Sequence, residues 1–75
     1  MNEEVKSTEA EVRQLIAGQR YPEVVAALES WADPEIADLL INLEKGQEML
    51  VYRALPRQRA ADVFSYLDPE AQDDF

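Results

Sequence analysis

Apolar residues recur along this chain at helical spacing. Val24, Ala27, Leu28 and Trp31 fall at i, i+3, i+4 and i+7. Ile36, Leu39, Leu40 and Leu43 repeat the pattern, and so do Ala60, Val63, Phe64 and Leu67. Each set draws one stripe down one helix face. No alternating run is long enough for a strand. Start signals come often. Pro22, Pro34, Pro56 and Pro69 each stand just before a stripe or near the chain end. Proline suits the first helical position because its missing N–H has no intrahelical partner there. Asp33 and Asp68 precede two of these prolines as candidate caps, and Glu35 and Glu70 follow them, at the positive end of the helix dipole. Thr8 and Glu11 have capping-box spacing, Gly18 suits a C-terminal cap, and Gly46 falls in an expected turn. The spacing predicts six helices, at about 3–17, 22–31, 34–43, 46–55, 57–67 and 69–75. Such short connections predict that successive helices pack as hairpins.

One phrase is written twice. Shifted by 24 residues, Ile36 falls on Ala60, Ala37 on Ala61, Asp38 on Asp62, Leu39 on Val63, Leu40 on Phe64 and Leu43 on Leu67. Apolar lands on apolar and acid on acid. This is the mark of a helical-hairpin repeat, and stacked hairpins build a solenoid or superhelix. The final segment, Pro69 to Phe75, reads as a helix cut short. Phe75 matches Val51 and would open a stripe that goes no further. The expectation is a single helical domain over residues 1–75, truncated on its C-terminal side.

Composition narrows the functional classes. With 75 residues there is room for one small domain, and a hydrophobic fraction of 47% is ordinary for a folded one. Sixteen acidic residues against seven basic ones leave a net charge of -9. That argues against nucleic-acid binding, which needs a positive footprint, and suits hard cations or basic partners. The chain has no cysteine and no histidine. Disulfides, thiolate metal sites and the commonest general base are thereby excluded. No stretch approaches the roughly 18 apolar residues of a membrane span, and "MNEEVKSTEAEV" lacks the form of a signal peptide. A soluble, cytoplasmic chain is expected.

No catalytic constellation is visible. Ser7, Ser30 and Ser65 have no histidine to activate them, and two glycines make no phosphate-binding loop. The chain is expected not to be an enzyme. Trp31 lies on an apolar stripe and is expected in the core. Tyr52 and Tyr66 lie off the stripes, at a hairpin edge or a partner surface. Arg53, Arg57 and Arg59 form a basic cluster for which ion pairs with nearby acids are the default account. Asp38 and Asp62 are read as lying near helix starts, where the dipole would favour them. A metal reading of either acid gives half a site, because Mg²⁺ takes one or two carboxylates and keeps several waters.

The segment "WADPEIADLLINLEKGQEMLVYRALPRQRAADVFSYLDPEAQ" resembles the cytoplasmic N-terminal domain of the MgtE family of magnesium transporters. The likeness rests on Asp33-Pro34-Glu35, the stripe from Ile36 to Leu43, Leu55-Pro56, Ala60-Ala61-Asp62-Val63 and Leu67-Asp68-Pro69-Glu70, in that order, and runs over about residues 10–75. The resemblance implies an all-α fold of short helical hairpins stacked as a right-handed superhelix. It implies a regulatory, magnesium-sensing role on the cytoplasmic side of the cell membrane. The partners it implies are paired CBS domains of the same transporter, which is a membrane homodimer. Mg²⁺ bound between acidic faces of the two domains would hold the assembly compact and the pore closed. Asp62 stands at a place where the family's "AAEV"-like segment has an acid facing the ion, with Asp in place of Glu. The isolated chain is then expected to bind Mg²⁺ weakly or not at all, and to self-associate through exposed stripes. The pattern is also similar to helical repeats of the flagellar motor switch protein. That alternative implies a protein-interaction scaffold without metal.

Overall fold

The computed structural model describes residues 7–73, and within them every regular element is helical. The elements are α1 (Glu9–Ala17), α2 (Tyr21–Leu28), α3 (Asp33–Ile41), α4 (Lys45–Ala54), α5 (Arg57–Phe64) and α6 (Pro69–Gln72). Phe75, and with it the truncated stripe, lies outside the described residues.

The helix starts show which local signals the chain uses. Helix α1 begins at Glu9, and the first part of the expected helix, residues 3–6, lies outside the described residues. Thr8 is extended, its side chain accepts from the Glu11 N–H at 3.1 Å, and Glu11 Oε1 accepts from the Thr8 N–H at 2.8 Å. This reciprocal capping box satisfies two backbone donors at once and fixes the start. Asp68 caps α6 as expected, accepting from the Ala71 N–H at 2.9 Å. Asp33 does not cap α3. It is the first residue of the helix, and Glu35 reaches back instead, its Oε1 accepting from the Ala32 N–H at 2.9 Å. Gly46 lies inside α4 rather than in the turn before it. Gly18 does follow α1, but the left-handed residue of that turn is Gln19, with φ of 60°.

The six starts, at residues 9, 21, 33, 45, 57 and 69, are evenly spaced 12 apart. The 24-residue echo is therefore two units of a shorter register that runs through all the described helices. Val12, Val24, Ile36, Glu48, Ala60 and Gln72 share one place in the unit, and all are buried or half-buried. Ile16, Leu28, Leu40, Tyr52 and Phe64 share the next turn. Trp31, Leu43, Leu55 and Leu67 share a place just beyond the helix end, where the chain has left helical geometry and the side chain still faces the core. This is why several helices end two to three residues earlier than the apolar stripes imply. The stripe includes an inward residue of the turn.

Packing follows two rules. Helix α1 packs on α2 and α3 on α4, as successive hairpins should. In addition α2 packs on α4 and α3 on α5, so the central helices also stack on the one two places along. The result is elongated, 43 × 23 × 19 Å. Helix α3 is the most deeply covered, with Ile36, Ala37, Leu39 and Leu40 buried. Trp31 belongs to the same core, and its Nε1 donates to the Ser7 carbonyl at 2.9 Å, which satisfies its one polar atom.

Candidate functional site

Helix α5 turns Ala60, Val63 and Phe64 inward. Helical geometry then sends Asp62 outward, and it is exposed. It is the sixth of eight residues in the helix, and Asp38 is the sixth of nine in α3. Neither lies near a helix start. The dipole account of these two acids therefore fails, since the favourable end lies within the first turn.

Asp62 has few contacts. Its Oδ1 is 3.4 Å from Gln58 Nε2, one turn earlier, and its carbonyl accepts from Ser65 Oγ at 2.7 Å. The first contact is long for a hydrogen bond. The carboxylate thus faces solvent with both oxygens within reach of a ligand. Arg59, three residues before it, turns the other way. Its Nε donates to Asp33 Oδ1 at 2.9 Å, and its Nη2 donates to the Trp31 carbonyl. The two side chains of this ion pair are only 23% and 28% exposed, which makes it a half-buried clamp between α5 and α3.

Asp38 sits elsewhere, in an open groove of about 440 Å³ lined by Thr8, Glu9, Trp31, Glu35, Leu39 and others. Its carbonyl accepts from Asn42 Nδ2 at 2.9 Å. Among the described residues no group of three or more Asp, Glu, His or Cys side chains is placed to hold a metal ion. Asp62 has the right chemistry for a hard cation, an exposed oxygen donor, but supplies one carboxylate and not a complete site. The remaining candidates divide. Arg53 and Arg57 are exposed, as is Tyr66. Tyr52 is half-buried and packs against Phe64, the ring centroids 6.4 Å apart and tilted by 53°. Sequence reasoning gave the basic cluster ion pairs with nearby acids but did not foresee the Arg59–Asp33 clamp. The partners are 26 residues apart, and only the stacking of α5 on α3 brings them together.

The fold and site define a small all-α repeat domain that keeps most of its acids, Asp38 and Asp62 among them, on its outer faces. The sequence profile of the MgtE intracellular N domain matches residues 32–75, well over half of the chain, and the chain belongs to that family. The family is the cytosolic N-terminal domain of magnesium transporters and is not a known enzyme family. The match spans α3 to α6, whereas α1 and α2 continue the same 12-residue register outside it. No curated protein matches the chain closely enough to count as a relative. Among the described residues no helix is long and apolar enough to cross a membrane.

Proposed function

We propose that this domain is a magnesium-responsive regulatory part of an MgtE-type transporter. Asp62 offers one carboxylate to a cation whose other ligands lie on the CBS domains of the same transporter. With the ion bound, the two acidic faces hold together and the pore stays closed. With the ion gone, like charges separate the faces and the pore can open. A ligand of this kind acts by binding one of two states more tightly. The stacked hairpins, wound as a right-handed superhelix, serve as the rigid support for Asp62. The observation that carries the reading is an outward Asp62, inside the family match, whose carboxylate has no strong partner. The same match favours this reading over a metal-free interaction scaffold.

Two measurements test it. Mg²⁺ titrated into the isolated chain, followed by calorimetry or NMR shifts, should give no saturable binding in the micromolar range. Tight saturable binding would show that the chain holds a whole site. In a transporter carrying this domain, Asp62→Asn should raise the Mg²⁺ concentration that protects the cytoplasmic assembly from protease. An unchanged protection curve would overturn the role given to Asp62.

A further inference from the structure

Arg59 and Asp62 are three residues apart on one helix, a spacing at which an arginine and a carboxylate can pair. Such a pair would neutralise Asp62. In the structure it does not form. Two of the three Arg59 guanidinium nitrogens are taken by α3 and the turn before it, Nε donating to the Asp33 carboxylate at 2.9 Å and Nη2 to the Trp31 carbonyl. What remains beside Asp62 is the neutral amide of Gln58, at 3.4 Å. From this geometry we infer that Asp33 is a positioning residue for the cation-facing acid. It holds the Arg59 guanidinium against α3 and so keeps Asp62 as an unneutralised carboxylate open to a divalent cation. The inference rests on the reading of Asp62 given above.

The same clamp also fastens α5 to α3, and a structural role alone makes a different forecast. If the clamp only fastens, then removing either partner loosens α5 to a similar degree, and removing both is no better than removing one. If Asp33 restrains Arg59, then Asp33→Asn releases a cation beside Asp62 and weakens divalent-ion attraction. Arg59→Gln leaves that attraction intact or strengthens it. The double variant, lacking the released cation, recovers it. The expected loss is about fivefold, the effect of one unit of charge about 8 Å from a divalent cation in a water-like dielectric.

The experiment uses the 75-residue chain and Mn²⁺ at low ionic strength. Paramagnetic broadening of the amide signals of α5 reports the ion near Asp62, and thermal unfolding is recorded for each variant. Asp62→Asn comes first. If broadening of α5 does not fall, Asp62 is not the acid that attracts the ion, and the functional reading itself fails at this residue. If it does fall, four further variants decide the present inference. A drop with Asp33→Asn larger than that with Asp38→Asn, which removes the same charge from α3 without freeing Arg59, no drop with Arg59→Gln, and recovery in the Asp33→Asn, Arg59→Gln double variant support it. Equal drops with Asp33→Asn and Arg59→Gln without recovery, or a drop with Asp33→Asn no larger than that with Asp38→Asn, overturn it while leaving the role of Asp62 standing. Should Asp33→Asn fail to fold, Asp33→Ala replaces it, since alanine is the residue best tolerated within a helix and carries no carboxylate.

Discussion

Helices α3 and α5 carry the same phrase and stack on each other, yet they stand in different surroundings. In α3, four residues are buried, and Ile36 and Leu40 are fully so. In α5, only Val63 is buried, while Ala60 and Phe64 are half-covered. Helix α3 has α4 and α5 packed on it, whereas α5 has a major packing with α3 alone. The same register therefore decides which way a residue points, and neighbouring helices decide how deep it lies. The acids show the rule from the other side. Asp38 and Asp62 hold one place in the register and both point outward, but Asp38 borders an acidic groove while Asp62 neighbours a diverted arginine. A repeat copies orientation faithfully and environment only approximately.

The sharpest way to break this comparison is to truncate the matched core residues Leu40 and Phe64. Leu40→Ala should cost about 3 kcal/mol, because it empties a fully buried site. Phe64→Ala should cost less, about 1.5 kcal/mol, since its ring is half-covered and solvent can fill part of the space. Urea unfolding followed by circular dichroism checks the order. Equal losses would mean that α5 is as deeply set as α3. A small single domain has only a few kcal/mol in hand, so Leu40→Ala is expected to leave a substantial unfolded population at room temperature.

A smaller effect compares the two ends of the molecule. Thr8→Ala removes half of a reciprocal capping box and should cost about 1 kcal/mol, read as a lower thermal midpoint. Asp68→Ala removes a single cap bond at the start of a four-residue helix. Its loss should be about 0.5 kcal/mol, because little structure depends on that start. A larger loss for Asp68→Ala would show that α6 is a firmer part of the fold than its length implies. The smallest effect is that of the paired acids on stability. Asp38→Asn and Asp62→Asn should each change unfolding free energy by no more than about 0.5 kcal/mol, since both side chains are exposed, and toward greater stability, since both acids stand in the last turn of a helix, at the negative end of its dipole. A clear loss for Asp62→Asn would assign it to the folding of α5 rather than to a ligand.

Much of this architecture was legible in the order of residues. Six helices in nearly the right places followed from stripes and prolines, because both are local properties of the backbone. Starts were clearest where a side chain reaches its own backbone, as at Asp68. They were misjudged at Asp33, where sequence reads as a cap and space supplies Arg59 as a stronger partner. The 12-residue register was present in the sequence throughout but obscured where Glu48 and Gln72 occupy inward places and Gln19 an outward one. Only known helix starts made it plain. Of the candidate site, the outward direction of Asp62 was implied by its neighbours Ala60, Val63 and Phe64, whereas the state of its carboxylate was not.

By itself the sequence determined the all-helical class, the family, the inward faces of α2, α3 and α5 and the largely acidic exterior. These depend on residues within one or two turns of each other, where spacing and geometry are tied by the helix itself. The tertiary structure alone decided that helices stack two places along as well as in hairpins, that α3 lies deeper than α5, and that Arg59 serves Asp33 rather than Asp62. Each of these turns on which distant segments share space, and an arginine with two acids in range pairs with the one that packing holds half out of water.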